Sequence, residues 1–187
     1  MDTAAKLSPA SVALHWLVGL GMIALTAVGL YMSNAEVWVL YPIHKSVGVL
    51  MFVLILARVV WRVKNGWPAQ LAGGSPLEHR MAKLVHWLLI TATLLMPISG
   101  MMNSGAGGHG IAVFGLQIVP SQHSADKPNE ALPYNESVAE FGEAMHEWIG
   151  YLLILALLLH VAGALKHHLV YKDGVLRRML GQRIAAK

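Results

Sequence analysis

Four apolar runs dominate this chain and leave it little choice of fold. They cover roughly residues 12–32, 42–60, 83–102 and 148–165. Each is close to the length of about 20 residues that carries a helix across the hydrocarbon core of a bilayer. The first run has no charged side chain, and the second has only Lys45 near its start and Arg58 near its end. Lipid offers no partner to backbone polar groups, so a lone span must bond within itself as a helix. No alternating pattern competes with these helices, and the fourth can begin earlier, near Val138. Composition agrees: 56% of residues are hydrophobic and 13% charged, against about 25% charged in soluble proteins. A disordered chain, a coiled coil and a secreted disulfide scaffold are excluded. With Cys 0, so are Cys-ligated iron–sulfur clusters and covalently attached haem.

The connections are residues 33–41, 64–80 and 103–137. The last is long and rich in Gly, Ser, Pro and Asn, the makeup of a lid, a cap or a mobile segment. No internal repeat or separate soluble domain is visible.

Charge orients the spans. Lys6, Arg58, Arg62, Lys64, Arg80, Lys83, Lys166, Lys172, Arg177, Arg178, Arg183 and Lys187 fall on one side. The other side has Lys45 and Lys127 with Glu36, Asp126, Glu130, Glu136, Glu140, Glu143 and Glu147. The positive-inside rule places both termini in the cytoplasm. The net charge of +4 therefore reads as membrane topology, not nucleic-acid binding. Trp16, Trp38, Trp61, Trp67, Trp87 and Trp148 lie near span ends, as in an interfacial belt. Lys6, the first run and Ser33-Asn34-Ala35 could also pass for a signal peptide, but the run is long for one. In residues 173–187, Val175, Leu176, Met179, Leu180 and Ile184 recur at helical spacing between arginines. This predicts an interfacial amphipathic helix.

Ten His residues in so apolar a chain point to function, because intramembrane His is costly without a role. His15, His44, His86, His146, His160 and His167 fall in or at the ends of the helices. His79, His109, His123 and His168 read as loop or boundary residues. His146 and His160 share a helix face and stand about 21 Å apart along it, with His167 about 10 Å further. No single metal ion can use ligands so far apart, whereas two cofactors stacked across the membrane can. By depth, His44 pairs with His146 at the outer end. His160 pairs with His15 or His86 at the inner end. His15, His44 and His146 are followed at i+4 by Gly19, Gly48 and Gly150, on the same face. His160 has Gly163 and Ala164 near it, while His86 meets Leu89 and Ile90. A flat macrocycle needs that cleared volume, which favours His15 over His86. Paired His on facing helices of a four-helix bundle is a b-type haem arrangement. Arg58, Arg62, Lys83 and Lys166 inside, and Lys45 outside, are candidate partners for haem propionates.

Ser11-Val-Ala-Leu-His15-Trp16-Leu, Ile43-His44-Lys-Ser-Val-Gly48, Leu84-Val-His86-Trp-Leu-Leu, Met96-Pro97-Ile-Ser-Gly100 and Met145-His146-Glu-Trp-Ile-Gly150 resemble the bacterial cytochrome b561 family. So does the stretch from His160 to Ala164-Leu-Lys-His167-His168. The resemblance covers nearly the whole chain and is similar to the short superoxide:quinone oxidoreductase members. It implies an all-α, four-helix inner-membrane protein with two b haems between its helices. By that resemblance His15 and His160 would hold the cytoplasmic-side haem, and His44 and His146 the periplasmic-side haem. His86 and His167 match positions near the family's quinone site. The expected function is electron transfer from a periplasmic donor, superoxide by resemblance, to ubiquinone. Lys45 beside His44 is the notable exception on an outer side that is acidic overall. Two alternatives differ in kind. One is a cytochrome b anchor for a hydrogenase or dehydrogenase, with a protein partner. The other is a haem-free, His-lined metal-ion transporter, which fits poorly because no carboxylate lies well inside a span.

Overall fold

The structure, a computed structural model, describes residues 1–3, 5–68, 73–127 and 130–184. Four long helices form an antiparallel bundle: α1 (Pro9–Ala35), α2 (Tyr41–Asn65), α3 (Pro76–Ala106) and α4 (Glu136–Lys166). All four are long and apolar enough to cross a membrane. α1, α3 and α4 outrun their apolar cores because polar caps extend them. Ser8 caps α1 by accepting from the Ser11 amide, with Pro9 preset for the first turn. Ser75 and Glu78 close a reciprocal capping box, so α3 starts at Pro76 rather than at Lys83. Asn135 caps α4 at Glu136. The connection expected over 64–80 shortens to 66–75 between α2 and α3, and its residues 69–72 lie outside the described residues.

Within the expected 103–137 connection, Ile111–Val113 (β1) and Leu116–Val119 (β2) pair as an antiparallel hairpin, and His123 bridges Ala131. Its apolar residues lie next to Gly110 and Gly115, both at positive φ, which supply the sharp reversals. The tail is less helical than its spacing predicts. A π-helical turn, His167–Tyr171, follows α4, and only Val175–Met179 (α5) is helical beyond it. Gly174 and Gly181, both at positive φ, bracket α5. Residues 185–187 of the expected 173–187 helix lie outside the described residues.

The buried core takes Val18 and Met22 from α1, Met51 and Ile55 from α2, Ala92 from α3 and Leu153 from α4. It sits at mid-bundle, between the two ends that carry His. Many Leu, Val and Ile side chains on all four helices remain exposed, as a lipid-facing surface requires. At the end away from the chain termini, the outer end of the expected topology, α3 and α4 meet closely. A Cβ on Gly142 would lie 2.6 Å from the Asn103 amide nitrogen, so only Gly permits that approach.

Both chain ends lie at one end of the bundle. The Ile184 amide donates to the Ala5 carbonyl, and Trp16 Nε1 to the Met179 carbonyl. Asp2 organises this cap. It accepts from the Ser8 amide and the Ser11 hydroxyl and pairs with Arg62 at 3.2 Å. Burial pushes the Asp2 carboxyl up. Hydrogen bonds from Ser8, Ser11 and Asn65 outweigh that and hold it down at about 2.

Candidate functional site: two stacked histidine pairs

The helices bring the imidazoles together at two depths. At the end holding the chain termini, the rings of His15 (α1) and His160 (α4) have centroids 6.1 Å apart. At the opposite end, His44 (α2) and His146 (α4) are 6.3 Å apart. Two imidazoles sharing one metal ion, each with a metal–nitrogen bond of about 2 Å, have centroids roughly 6 Å apart. His86 lies even closer to His160, at 5.2 Å. The crowding expected of His86 by Leu89 and Ile90 does not keep its ring from the inner site; it stands beside the pair.

Among the described residues no three His, Cys, Asp or Glu side chains gather to hold a metal ion. Each pair thus offers two ligands only, which suits a cofactor that brings the remaining ligands itself. Space is left open at the four glycines that follow the paired His. A Cβ added at Gly19, Gly48 or Gly163 would meet no atom within 4 Å. At Gly150 it would meet only the flexible end of Met96, at 3.9 Å. A close helix–helix contact would have filled these positions, as it does at Gly142.

The hydrogen bonds around the rings differ. His146 Nδ1 faces the Met96 carbonyl at 3.0 Å and the Ser99 hydroxyl at 3.1 Å, while that hydroxyl donates to Met96. Both partners accept from His146, so Nδ1 carries the proton and Nε2 keeps its lone pair for a metal. Gly100 provides the room: a Cβ there would stand 3.1 Å from the His146 ring. The Met96-Pro97-Ile98-Ser99-Gly100 motif is therefore the seat of His146. Pro97 withdraws its own amide from the helix ladder, as Pro must. His44 Nδ1 is buried with no hydrogen-bond partner among the described residues. At the inner pair, Arg58 Nη2 lies 3.2 Å from His15 Nδ1.

The cations expected at the propionates divide. Arg58 stands at the inner pair. Arg62 is instead taken up by Asp2 and the Gly66 carbonyl. Lys166 pairs with Glu78, which also accepts from the Tyr171 hydroxyl. Lys45 turns to the loop, donating to the Ser104 hydroxyl and to the His109 and Gly110 carbonyls.

His167 and His86 occupy the inner end. His167 Nδ1 lies 2.5 Å from Asp173 Oδ2, and His86 Nδ1 donates to the Ala82 carbonyl at 2.6 Å. Asp173 and Ser99 escaped the sequence reading. Asp173 reaches His167 only because the π-helical turn folds the chain back. Ser99 lay within a recognised motif whose role needed the facing helix to become visible. His79 sits in the first turn of α3, and His109 lies edge-on to Tyr41 at 6.1 Å.

The profile of the prokaryotic cytochrome b561 family matches residues 6–182. The chain is 33% identical over 177 residues to "Cytochrome b561 homolog 2" of Escherichia coli (strain K12), covering 92% of this chain and 89% of that protein. It is 27% identical over 182 residues to "Probable superoxide oxidase CybB" of Yersinia pestis, covering 95% and 97%. It is 24% identical over 185 residues to "Cytochrome b561 homolog 1" of Escherichia coli (strain K12), covering 95% and 98%. A four-helix membrane bundle with this match along nearly its whole length belongs to the prokaryotic cytochrome b561 family, a family that implies haem b and electron transfer.

Proposed function

We propose that this protein is a di-haem electron conduit that takes electrons at its acidic end and passes them to ubiquinone at its basic end. The observation that carries the reading is the pair of ring separations, 6.1 and 6.3 Å, at opposite ends of one unbroken helix. His15 and His160 hold the inner haem, and His44 and His146 the outer one. Bound haem supplies one-electron redox chemistry; the chain supplies everything else. Ser99 and the Met96 carbonyl fix the tautomer of His146. Arg58 places a positive charge at the inner pair, with no carboxylate paired to it among the described residues. That charge favours the inner site as the electron-rich one. Both termini face the cytoplasm in the inner membrane, as the distribution of Lys and Arg directs.

The name of the Yersinia relative suggests superoxide as donor. Two superoxide anions lose one electron each and leave as dioxygen. One ubiquinone gains both electrons and two protons and leaves as ubiquinol. Lys45 offers the small anion a positive charge one residue from His44. With Nδ1 of His86 turned to the Ala82 carbonyl and Nδ1 of His167 to Asp173, each ring in its protonated form donates from Nε2 to a quinone carbonyl and gives up that proton, and Asp173 stabilises the protonated His167.

The reading is tested by a reduced-minus-oxidised spectrum with haem counted per chain by pyridine haemochrome. Two low-spin b haems are expected; one or none overturns the paired-site reading. The donor is tested separately, by superoxide-dependent ubiquinone reduction in the purified protein. A di-haem protein that shows none has another donor.

A further inference from the structure

We propose that the β1–β2 hairpin is a membrane-docking element whose apolar tip inserts into the lipid leaflet around the acidic end of the bundle. Phe114, Leu116 and Ile118 are 66%, 72% and 57% exposed on a short, rigidly held hairpin. None of these side chains finds a place in the protein core.

The hairpin's depth is fixed. Ser46 of α2 accepts from the Phe114 amide, and its hydroxyl lies 3.3 Å from the Ala112 carbonyl. Lys45 donates to Gly110 at the hairpin's root. The Ser104 hydroxyl of α3 donates to the same carbonyl at 2.7 Å. Gly110 is at positive φ, and a Cβ there would lie 2.7 Å from the Val119 carbonyl oxygen, so the root cannot relax into another path. These bonds hold the hairpin against the first turns of α2. At that level Trp38, Val39 and Ile43 are exposed, which is the interfacial depth that Trp favours.

Charge selects lipid as the occupant. Residues 110–125 hold no Asp, Glu, Lys or Arg, whereas Asp126, Glu130, Glu136, Glu140, Glu143 and Glu147 follow. Strand edges that face water are commonly guarded by charge; this hairpin has none. A protein-docking patch would carry a polar rim. Here the apolar tip runs on into α2 across a groove of about 380 Å³ lined by Pro42, Ile43, Ala112, Phe114 and Gly115, and its two polar members, Lys45 and Ser46, are already bonded to the hairpin backbone.

The chain has no Cys, so single-cysteine labelling is clean. Nitroxide is attached to the full chain at Leu116→Cys and Ile118→Cys, and at Asp126→Cys in the acidic segment. The labelled proteins are placed in phosphatidylcholine–phosphatidylglycerol vesicles. Accessibility is then compared between oxygen, which concentrates in lipid, and a water-soluble nickel chelate. The expected result is an oxygen-to-nickel ratio several-fold higher at 116 and 118 than at 126. Phe114→Cys repeats the measurement at the turn, and unchanged helical circular dichroism certifies each variant. Equal nickel access at all positions overturns the proposal. So does shielding from both reagents, which would mean a protein cover; dipolar broadening that grows with protein density would identify it as a second copy.

Discussion

The two ends of the bundle use the same ligand type in different settings. The outer pair is seated by neutral groups: the Met96 carbonyl and the Ser99 hydroxyl hold His146, and His44 Nδ1 has no partner among the described residues. The inner pair is surrounded by more nitrogen. Arg58 touches His15, and the His86 ring lies 5.2 Å from His160. On the proposed di-haem reading, ligand identity alone would make two equal redox sites. The groups just beyond the proposed ligands would make them unequal, because such groups set ligand basicity and local charge. The difference runs in the useful direction, toward the end where the quinone is proposed to bind.

Removing a ligand gives the largest expected effect. His44→Ala and His160→Ala should each reduce the haem count from two per chain to one, at opposite ends. His86→Ala should keep both. Pyridine haemochrome assays of the three variants check this. Loss of haem in His86→Ala would assign that ring to the inner pair in place of His15.

Next comes charge. Arg58→Leu should lower the midpoint potential of the inner site by on the order of 60 mV, a tenfold change in a one-electron equilibrium. The outer site should move much less, because the two His on α4 stand about 21 Å apart along the helix. Spectroelectrochemical titration resolves the two. An equal shift at both sites would break the comparison.

A smaller effect is expected at the seat of His146. Ser99→Ala removes one of two acceptors for the Nδ1 proton, making the ring less basic, so the outer potential should rise by less than the Arg58 shift. The haem count should stay at two. The same titration reads it, and a shift at the inner potential instead would place His146 elsewhere.

The smallest effect concerns stability at the cap of the inner end. The Asp2 carboxyl is held at about 2, below its usual 3.8. A depressed acid stabilises the fold above its unfolded pKa, and the contribution fades as pH falls toward the folded value. Asp2→Asn should therefore lower the melting temperature modestly at pH 7, and the gap from the parent should close as pH approaches 2. Thermal melts across that range check it. A gap independent of pH would assign the effect to the hydrogen bonds alone.

The four spans were legible because lipid imposes a single requirement, an unbroken apolar run that satisfies its own backbone. The depths of His15, His44, His146 and His160 were legible for the same reason, since helix rise converts residue number into height. The ends of the helices were less so. Ser75 with Glu78 and Asn135 extended α3 and α4 past their apolar cores through capping bonds, which hydropathy does not register. The hairpin was missed because its strands are only three and four residues long and its register depends on Ser46 and Lys45, more than sixty residues earlier.

The sequence by itself determined that this chain spans a membrane four times, which side carries the positive charge, and that His residues stand at two depths. Those are properties of one helix at a time. Only the tertiary structure decided that His86 joins His160 as a neighbour, that Ser99 and Met96 seat His146, that Arg58 and not Lys166 attends the inner pair, and that Asp173 meets His167. Each is a contact between segments far apart in the chain or turned by an irregular helix. Periodicity fixes which face a side chain occupies, but packing fixes what stands opposite it.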